Sequence, residues 1–197
     1  MEKSILKEYL LKERRLYLGS PKTGTALRRS LHKRYLIWRY LYYFRLCQYS
    51  QTVRKDPAAD RFSRIAAKYT FRYYNRKRNL YGSLAGVEIG LDSHIGCCPD
   101  IWHGGVIVNG TLGDYCVLHG NNVIGNKGIG RERETPVIGS HADIGAGAVV
   151  IGGVAIADRC KIGAGAVVTK SCDAPDSVLA GVPAKIITKE SPKGTEV

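Results

Sequence analysis

A strict six-residue spacing of aliphatic residues constrains this chain more than any other feature. From residue 138 to residue 173 an aliphatic residue stands at every sixth position, and a small residue or Cys follows it four places later. The aliphatic positions are Ile138, Ile144, Val150, Ile156, Ile162 and Val168. An amphipathic helix would repeat every 3.6 residues and a half-buried strand every two. The spacing therefore predicts hexapeptide repeats that wind a parallel β-helix of short strands.

A first irregularity of this spacing surrounds a histidine. Ile101 and Leu112 are eleven residues apart, one short of two repeats, so the backbone must deviate from the regular coil within H-G-G-V-I-V-N-G. His103 stands there beside two glycines, which permit the close approach of a ligand. His119 follows one coil later and should stack close to Trp102 and His103. For the other histidines we keep the simpler interpretation of a solvated surface residue.

A second irregularity follows Ile124. Fourteen residues separate it from Ile138, which we interpret as two repeats plus two extra residues. Residues 126–136 are therefore predicted to form a loop extruded from the helix. Regular solenoid packing requires neither irregularity, so both are candidate functional sites.

Charge divides the chain near Tyr81. Residues 1–80 hold 21 Lys and Arg against 5 Asp and Glu, whereas residues 81–197 hold 9 against 12. The basic part also interleaves Tyr, Trp and Phe with Arg. We expect a helical region over 1–80, a β-helix domain over 81–187 and a flexible tail over 188–197.

Three helices are predicted in the basic region. The first covers residues 3–18 and is broken by Ser20-Pro21 and Gly24. The second extends from about residue 25 to about 49, and the third from residue 57 or 60 to about 78, with Asp60 as its N-cap.

The role of the basic region has three interpretations. It is first a helical cap for the β-helix. It could also contact an anionic membrane, because Lys and Arg attract acidic headgroups while Tyr and Trp suit the interface. Nucleic acid is the least favoured partner, since the sequence contains no DNA- or RNA-binding motif.

The six cysteines fit a reducing compartment. They show no paired metal-ligand spacing, so no metal is expected. Cys116, Cys160 and Cys172 fall at the inward fifth position of a repeat, where we expect buried, reduced thiols. The sequence has no apolar run of about 18 residues and no secretory leader pattern. We expect a cytoplasmic protein, at the inner face of the membrane if the basic region binds lipid.

Several segments resemble the serine acetyltransferase-like branch of the hexapeptide acyltransferases. They are H-G-G-V-I-V-N-G, I-G-A-G-A-V-V-I-G and the closing A-G-V-P-A-K-I-I, within residues 81–187. The segments R-Y-L-I-W-R-Y-L-Y-Y-F-R-L and V-L-H-G-N-N are similar to polysaccharide-locus members of that branch. The resemblance implies a left-handed β-helix, against the usual right-handed crossover. It also implies a homotrimer that binds acetyl-CoA between subunits and passes the acetyl group directly to a hydroxyl.

The resemblance assigns catalytic roles. His103 matches the family's general base, and Glu88, fifteen residues earlier, matches the acid that orients it. Asp92 and Asp100 are fallback candidates for that acid. A backbone N–H near Gly104 or Gly105 would stabilise the oxyanion.

The resemblance also bears on the acceptor. Serine enzymes of the family have R-H-P where this chain has E-T-P, so that Glu134 replaces an Arg and Thr135 replaces a His. We take this difference as evidence against serine. Thr135, His119 and Asp100 are expected to be acceptor-side or auxiliary residues.

The CoA site is expected along the later coils. The family uses backbone groups of A-G-A segments, and two lysines could meet the phosphates. The matching positions are Gly145, Ala146, Gly163, Ala164, Lys170 and Lys185. Tight coil corners also require small residues, so the glycines and alanines have a purely structural interpretation as well.

From these features we expect an acetyl-CoA-dependent O-acetyltransferase acting on a sugar of a surface or capsular polysaccharide precursor, with a small-molecule or lipid-linked acceptor. The alternative is a serine O-acetyltransferase of cysteine biosynthesis. A non-enzymatic or metal-binding β-helix protein is the further alternative.

Overall fold

The computed structural model describes residues 1–189, the side chains of residues 21, 188 and 189 excepted. They form two compact units that divide between Val87 and Glu88, a few residues after the expected change of region at Tyr81. The expected tail at 188–197 begins inside the last strand, and its remaining residues lie outside the described part.

The first unit contains four helices. They are α1 (Lys3–Leu18), α2 (Pro21–Arg29), α3 (Lys33–Lys55) and α4 (Arg61–Ala85). The first matches the predicted span. As expected, Asp60 caps the last helix, since its carboxylate accepts a hydrogen bond of 2.8 Å from the Ser63 N–H.

The predicted single helix over residues 25–49 is wrong, because the chain breaks it in two. Ser20 caps α2 by accepting from the Thr23 N–H, and Pro21 occupies the first turn. Leu31 then takes a left-handed φ of 49°. His32 starts α3 by accepting a hydrogen bond of 3.2 Å from the Arg34 N–H through Nδ1. Local capping therefore overrides the continuous helical pattern.

The core of the helical unit contains a buried ion pair. Arg45 of α3 donates to Glu13 of α1 through Nη2 at 2.7 Å and through Nε at 3.1 Å. Each side chain is only 1% exposed. The Arg45 guanidinium also lies 4.8 Å from the centre of the Tyr9 ring. These contacts fix α1 against α3.

The second unit is a left-handed parallel β-helix with three sheets. The strands are β1 (Val87–Ile89), β2 (His94–Ile95), β3 (Asp100–Ile101), β4 (Val106–Val108), β5 (Thr111–Leu112), β6 (Val117–Leu118), β7 (Val123–Gly125), β8 (Val137–Ile138), β9 (Asp143–Ile144), β10 (Val149–Ile151), β11 (Ala155–Ile156), β12 (Lys161–Ile162), β13 (Val167–Val168), β14 (Ser177–Gly181) and β15 (Ala184–Lys189). Sheet 1 has the order β1-β4-β7-β10-β13, sheet 2 has the order β11-β8-β5-β2, and sheet 3 has the order β15-β14-β12-β9-β6-β3. Only β15 pairs antiparallel, with β14.

The six-residue spacing places its aliphatic residues inside, as predicted. Ile138, Ile144 and Val150 are at most 1% exposed, and their counterparts in the other coils are equally buried. The cysteines at the fifth position, Cys116 and Cys160 among them, are free and buried. The core is thus a stack of one aliphatic layer per strand and one small layer per corner.

The register corrects how the two irregularities were interpreted. Val108, not Ile107, pairs with Ile124. Ile101 and Val108 are therefore seven residues apart, one more than a repeat, across the corner that holds His103. The next interval, from Val108 to Leu112, is only four residues and contains the whole shortage.

The gap after Ile124 likewise spans one repeat and eight extra residues, because Ile138 pairs with Leu112 of the preceding coil. The interpretation as two repeats plus two was wrong. No strand is assigned between β7 and β8, where the extruded loop was expected.

Within residues 1–189, no helix has the length and apolarity that crossing a bilayer requires.

Candidate active site

Most of the predicted site residues lie along one edge of the three-sided prism that the sheets of the β-helix form. It lies where the chain turns from sheet 3 to sheet 1, and we call it the histidine edge. Its segments, one per coil, are 102–105, 119–122, 145–148 and 163–166. Backbone hydrogen bonds of 2.9 Å join each segment to the next, from Asn121 N–H to the Gly104 carbonyl and from Gly147 N–H to that of Gly120. Residues distant in sequence are therefore neighbours at strand spacing, about 4.8 Å apart.

His103 is exposed at the start of this edge and lies directly against Gly120. A Cβ built on Gly120 would be only 2.6 Å from the Cβ of His103. Gly120 also has a φ of +113°, a conformation that L side chains rarely adopt. Glycine is required here for two reasons, and its missing side chain is the space that His103 uses.

His119 is the histidine that has a carboxylate partner. Its Nε2 lies 2.7 Å from Oδ1 of Asp143, which stands on the neighbouring strand β9. Its ring also packs on Trp102, with centroids 4.4 Å apart, as the one-coil spacing predicted. Trp102 in turn donates from Nε1 to Asp100 at 3.0 Å. The ring of His119 is held by two contacts, and if Nε2 carries the proton, Nδ1 keeps a lone pair for a ligand.

Glu88 and Asp100 were the expected partners of His103. Glu88 is exposed on β1, the strand beside β4 in sheet 1, and no hydrogen bond joins it to His103 in the described chain. The hydrogen bond described for the Asp100 side chain goes to Trp102. The orientation of His103 by Glu88 stays a prediction.

Thr135 and Glu134 lie on another edge. The loop 126–136 leaves the prism where the chain turns from sheet 1 to sheet 2, and Glu134 comes next to Gly153 of the following coil. Glu134 also pairs with Arg131 at 3.5 Å. A single chain therefore does not bring Thr135 and His103 to the same edge.

The expected CoA positions follow the two histidines along the histidine edge. Ala146 and Ala164 are exposed one coil apart, and Gly165 N–H donates to the Ala146 carbonyl at 2.9 Å. The stacking of the coils already requires glycine at position 145, because a Cβ there would lie 2.6 Å from the backbone nitrogen of Ala164. A Cβ on Gly163 would lie 3.3 Å from the Cβ of Ala180 and 3.4 Å from the Leu179 carbonyl oxygen.

The two lysines proposed for the phosphates lie elsewhere. Lys170 is exposed after β13, on the same edge as the loop 126–136. Lys185 is exposed on β15, opposite Ala180. In residues 1–189 no three His, Cys, Asp or Glu side chains come together as metal ligands would.

Asp143 and Gly120 are the site residues that sequence reasoning missed. The signal for Asp143 was present, because counting the gap after Ile124 as one repeat plus a loop places Asp143 beside Val117, two residues before His119. Counting it as two repeats moves Asp143 to another sheet.

Comparison with known proteins agrees with this geometry. The family model described as Bacterial transferase hexapeptide (six repeats) matches residues 135–170. A serine acetyltransferase of Synechococcus elongatus is 35% identical over 108 residues, which cover 53% of this chain and 43% of that protein. The chain is therefore similar to hexapeptide transferases over residues 135–170 and to serine acetyltransferases over about half of its length. It spans about half the length of the relatives it matches first.

Solved structures share the fold of this hexapeptide-repeat chain. The serine acetyltransferase (CysE) of Neisseria gonorrhoeae superposes with a TM-score of 0.67 at 22% identity, covering 94% of this chain and 68% of that one. The Brucella abortus serine acetyltransferase in complex with coenzyme A gives 0.58 at 20% identity, covering 96% and 84%. These relatives correct the expected polysaccharide acetyltransferase, since both the sequence and the structure comparisons give serine acetyltransferases. The resemblance of V-L-H-G-N-N and of the basic region to polysaccharide-locus members was misleading.

Proposed function

We propose that this chain is an acetyl-CoA-dependent serine O-acetyltransferase. The observation that carries the proposal is that the relatives matched over about half of this chain bear that name. His103, which the resemblance of H-G-G-V-I-V-N-G assigns as the base, supports it. The reaction transfers an acetyl group from the thioester directly to the serine hydroxyl. We place it in the cytoplasm, with acetyl-CoA as the co-substrate and no metal.

His103 acts as the general base. A hydroxyl is a weak nucleophile at neutral pH, and an imidazole can take its proton as the new C–O bond forms. Attack on the thioester carbonyl gives an oxyanion, for which the backbone N–H of Gly104 or Gly105 is the proposed donor. The carbonyl then re-forms and the CoA thiolate leaves, taking up a proton. Glu88 stabilises the imidazolium in this scheme.

His119 and Asp143 form the acceptor side. Asp143 holds the imidazole through the 2.7 Å hydrogen bond, and Trp102 limits its rotation. Asp143 is a positioning residue, and His119 contacts the acceptor. Thr135 and Arg131 are contributed by the other edge, where Arg131 supplies a guanidinium beside Glu134.

A homotrimer reconciles these placements. His103 and Thr135 lie on different edges of the prism, so one site can contain both only when edges of neighbouring copies meet. In such a site the exposed Ala146 and Ala164 line the CoA channel of one copy, and Lys170 comes from the edge of its neighbour. Lys185 is the second candidate for a CoA phosphate.

The experiment that tests the proposal follows the release of CoA from acetyl-CoA with a thiol reagent, in the presence of L-serine, D-serine or L-threonine. The six cysteines are buried, so the protein adds little background. We expect turnover with L-serine. Replacing His103→Ala should lower kcat/KM roughly 100- to 10,000-fold, the usual contribution of a general base.

His141→Ala is the matched control. His141 is an exposed histidine whose ring stacks on Tyr115 at 5.4 Å, on an edge without other site residues. We expect it to keep the activity of the unaltered protein. Release of CoA that does not depend on an added acceptor, or full activity in His103→Ala, would contradict the proposal.

We also propose that residues 1–80 contact an anionic membrane. The exposed apolar and basic side chains of α4 support this proposal.

A further inference from the structure

Helix α4 exposes a second set of large apolar side chains besides those that it packs on α3. Towards α3 it fully buries Ala67, Gly82 and Ala85 and places Tyr74 and Tyr81 against Tyr43. Six other large apolar residues of α4 are 46% to 80% exposed. They are Phe62, Ile65, Tyr69, Tyr73, Leu80 and Leu84. We call these six residues the α4 stripe.

The α4 stripe follows one face of the helix and is interrupted by Arg76 between Tyr73 and Leu80. Its members follow one another at spacings of three, four, four, seven and four residues, all close to whole turns of 3.6. At 100° per residue they fall within about 100° of one another, opposite the small residues that face α3. Because α3 covers only the other face, this exposed apolar face is a candidate binding surface.

The charge of α4 indicates what that partner is. Between Arg61 and Arg78 the helix holds seven Lys and Arg, and from Arg61 to Ala85 it has no Asp or Glu. Arg61, Lys68 and Arg72 form an exposed row along one flank of the stripe, as their spacing of seven and four requires.

A second copy of the helix fits this surface poorly. Two α4 stripes packed together would bring Lys and Arg of both copies into one interface, with no acidic side chain on either helix to neutralise them. An anionic bilayer fits better. Phe, Tyr and Leu side chains suit the boundary between headgroups and acyl chains, and flanking Lys and Arg meet acidic headgroups.

We propose that the α4 stripe binds the surface of an anionic phospholipid bilayer. The helix lies in the plane of the interface, with the stripe between the headgroups and its flanking basic residues against lipid phosphates. The inference does not depend on the acetyltransferase reaction, because it uses only the helical unit.

The test uses the full chain in a flotation assay with vesicles of phosphatidylcholine alone or with about 30 mol % phosphatidylglycerol. We expect the protein to float with the anionic vesicles and not with the neutral ones. High salt should release it, because exposed charges are screened over a few ångströms at about 1 M ionic strength. Equal binding to both kinds of vesicle would overturn the proposal.

Two pairs of variants separate the apolar and the basic contributions. The double variant Leu80→Ser/Leu84→Ser should bind at least about tenfold more weakly, since it removes two inserted aliphatic side chains. Leu11→Ser, on the exposed side of α1, is its control and should bind as the unaltered chain does.

The triple variant Arg61→Gln/Lys68→Gln/Arg72→Gln should lose roughly a hundredfold in affinity for anionic vesicles. Its control neutralises three exposed basic residues elsewhere, at positions 14, 28 and 29. Circular dichroism of each variant checks that the helices are kept, and the triple variant still decides if the serine substitutions disturb α4. An equal loss in the control would show general charge attraction and would overturn the assignment to this helix.

Light scattering provides the competing outcome. If Leu80→Ser/Leu84→Ser lowers the molecular mass of the assembly while vesicle binding is unchanged, the α4 stripe joins copies of the chain. That result would also overturn the proposal.

Discussion

Replacing Gly120 by Ala should displace His103, the proposed base, while leaving its imidazole unchanged. The new Cβ would lie 2.6 Å from the Cβ of His103, whereas ordinary contacts begin near 3.4 Å. One side must therefore move by roughly 0.8 Å. A misplacement of about 1 Å can cost on the order of a hundredfold in rate, because the base no longer meets the hydroxyl proton in line. The φ of +113° adds a backbone strain of about 1–3 kcal/mol.

The assay separates displacement from strain. CoA release with L-serine should show kcat lowered about a hundredfold in Gly120→Ala, with the KM for acetyl-CoA nearly unchanged. Gly19→Ala is the matched control, because Gly19 has a φ of +57° and nothing within 4 Å of its added Cβ. It should lose stability and keep activity.

A double variant decides the cause. If Gly120→Ala acts through His103, then adding it to His103→Ala should lower kcat no further. Additive losses in the double variant, or normal kcat in a destabilised Gly120→Ala, would refute the reasoning.

Three further outcomes are expected. Asp143→Asn should lower kcat/KM roughly 10- to 100-fold at an unchanged melting temperature, because the amide releases the imidazole that the carboxylate holds; an unchanged kcat/KM would remove Asp143 from the site. Glu13→Gln should cost about 3–5 kcal/mol in urea unfolding, since it removes the carboxylate charge that faces the buried Arg45 guanidinium. Glu8→Gln should cost less than about 1 kcal/mol, because its pair with Lys12 is exposed; equal losses would contradict this. Burial raises the pKa of the Cys47 and Cys116 thiols from 9.0 to about 11. The stability that the two thiols contribute should be complete below pH 9 and should be lost as the pH rises toward 11. Melting temperatures measured across this pH range should therefore fall less steeply when both residues are replaced by Ala.

Patterns that repeat were the most predictable part of this protein. The six-residue spacing identified the fold and the inward side chains, because every coil must bury one aliphatic residue on each face. The span of helix α1 was predicted from the residues that end it, Ser20-Pro21 and Gly24. The break between α2 and α3 was missed, since Leu31 and His32 lie within a continuous helical pattern and the left-handed turn there has no glycine.

The site was predictable only where a residue type carries its own chemistry. His103 was a candidate because an imidazole beside two glycines has no packing role in a coil. The pair of His119 with Asp143 was not, because it depends on which strands are neighbours. The substitution of Glu134 for an Arg also led to the wrong acceptor, since a single position was weighed above the similarity of the whole β-helix.

The sequence by itself determined that this chain winds a β-helix of hexapeptides and that its rhythm fails around His103 and after Ile124. It could not determine which corner of the helix contains the missing or extra residues, because residue counts that differ by a multiple of six fit different pairings of the strands. Only the tertiary structure decided this, through interstrand hydrogen bonds that pair Ile138 with Leu112 and Val108 with Ile124. Those hydrogen bonds stack the coils in register, and the register brings a histidine and a carboxylate 24 positions apart within 2.7 Å.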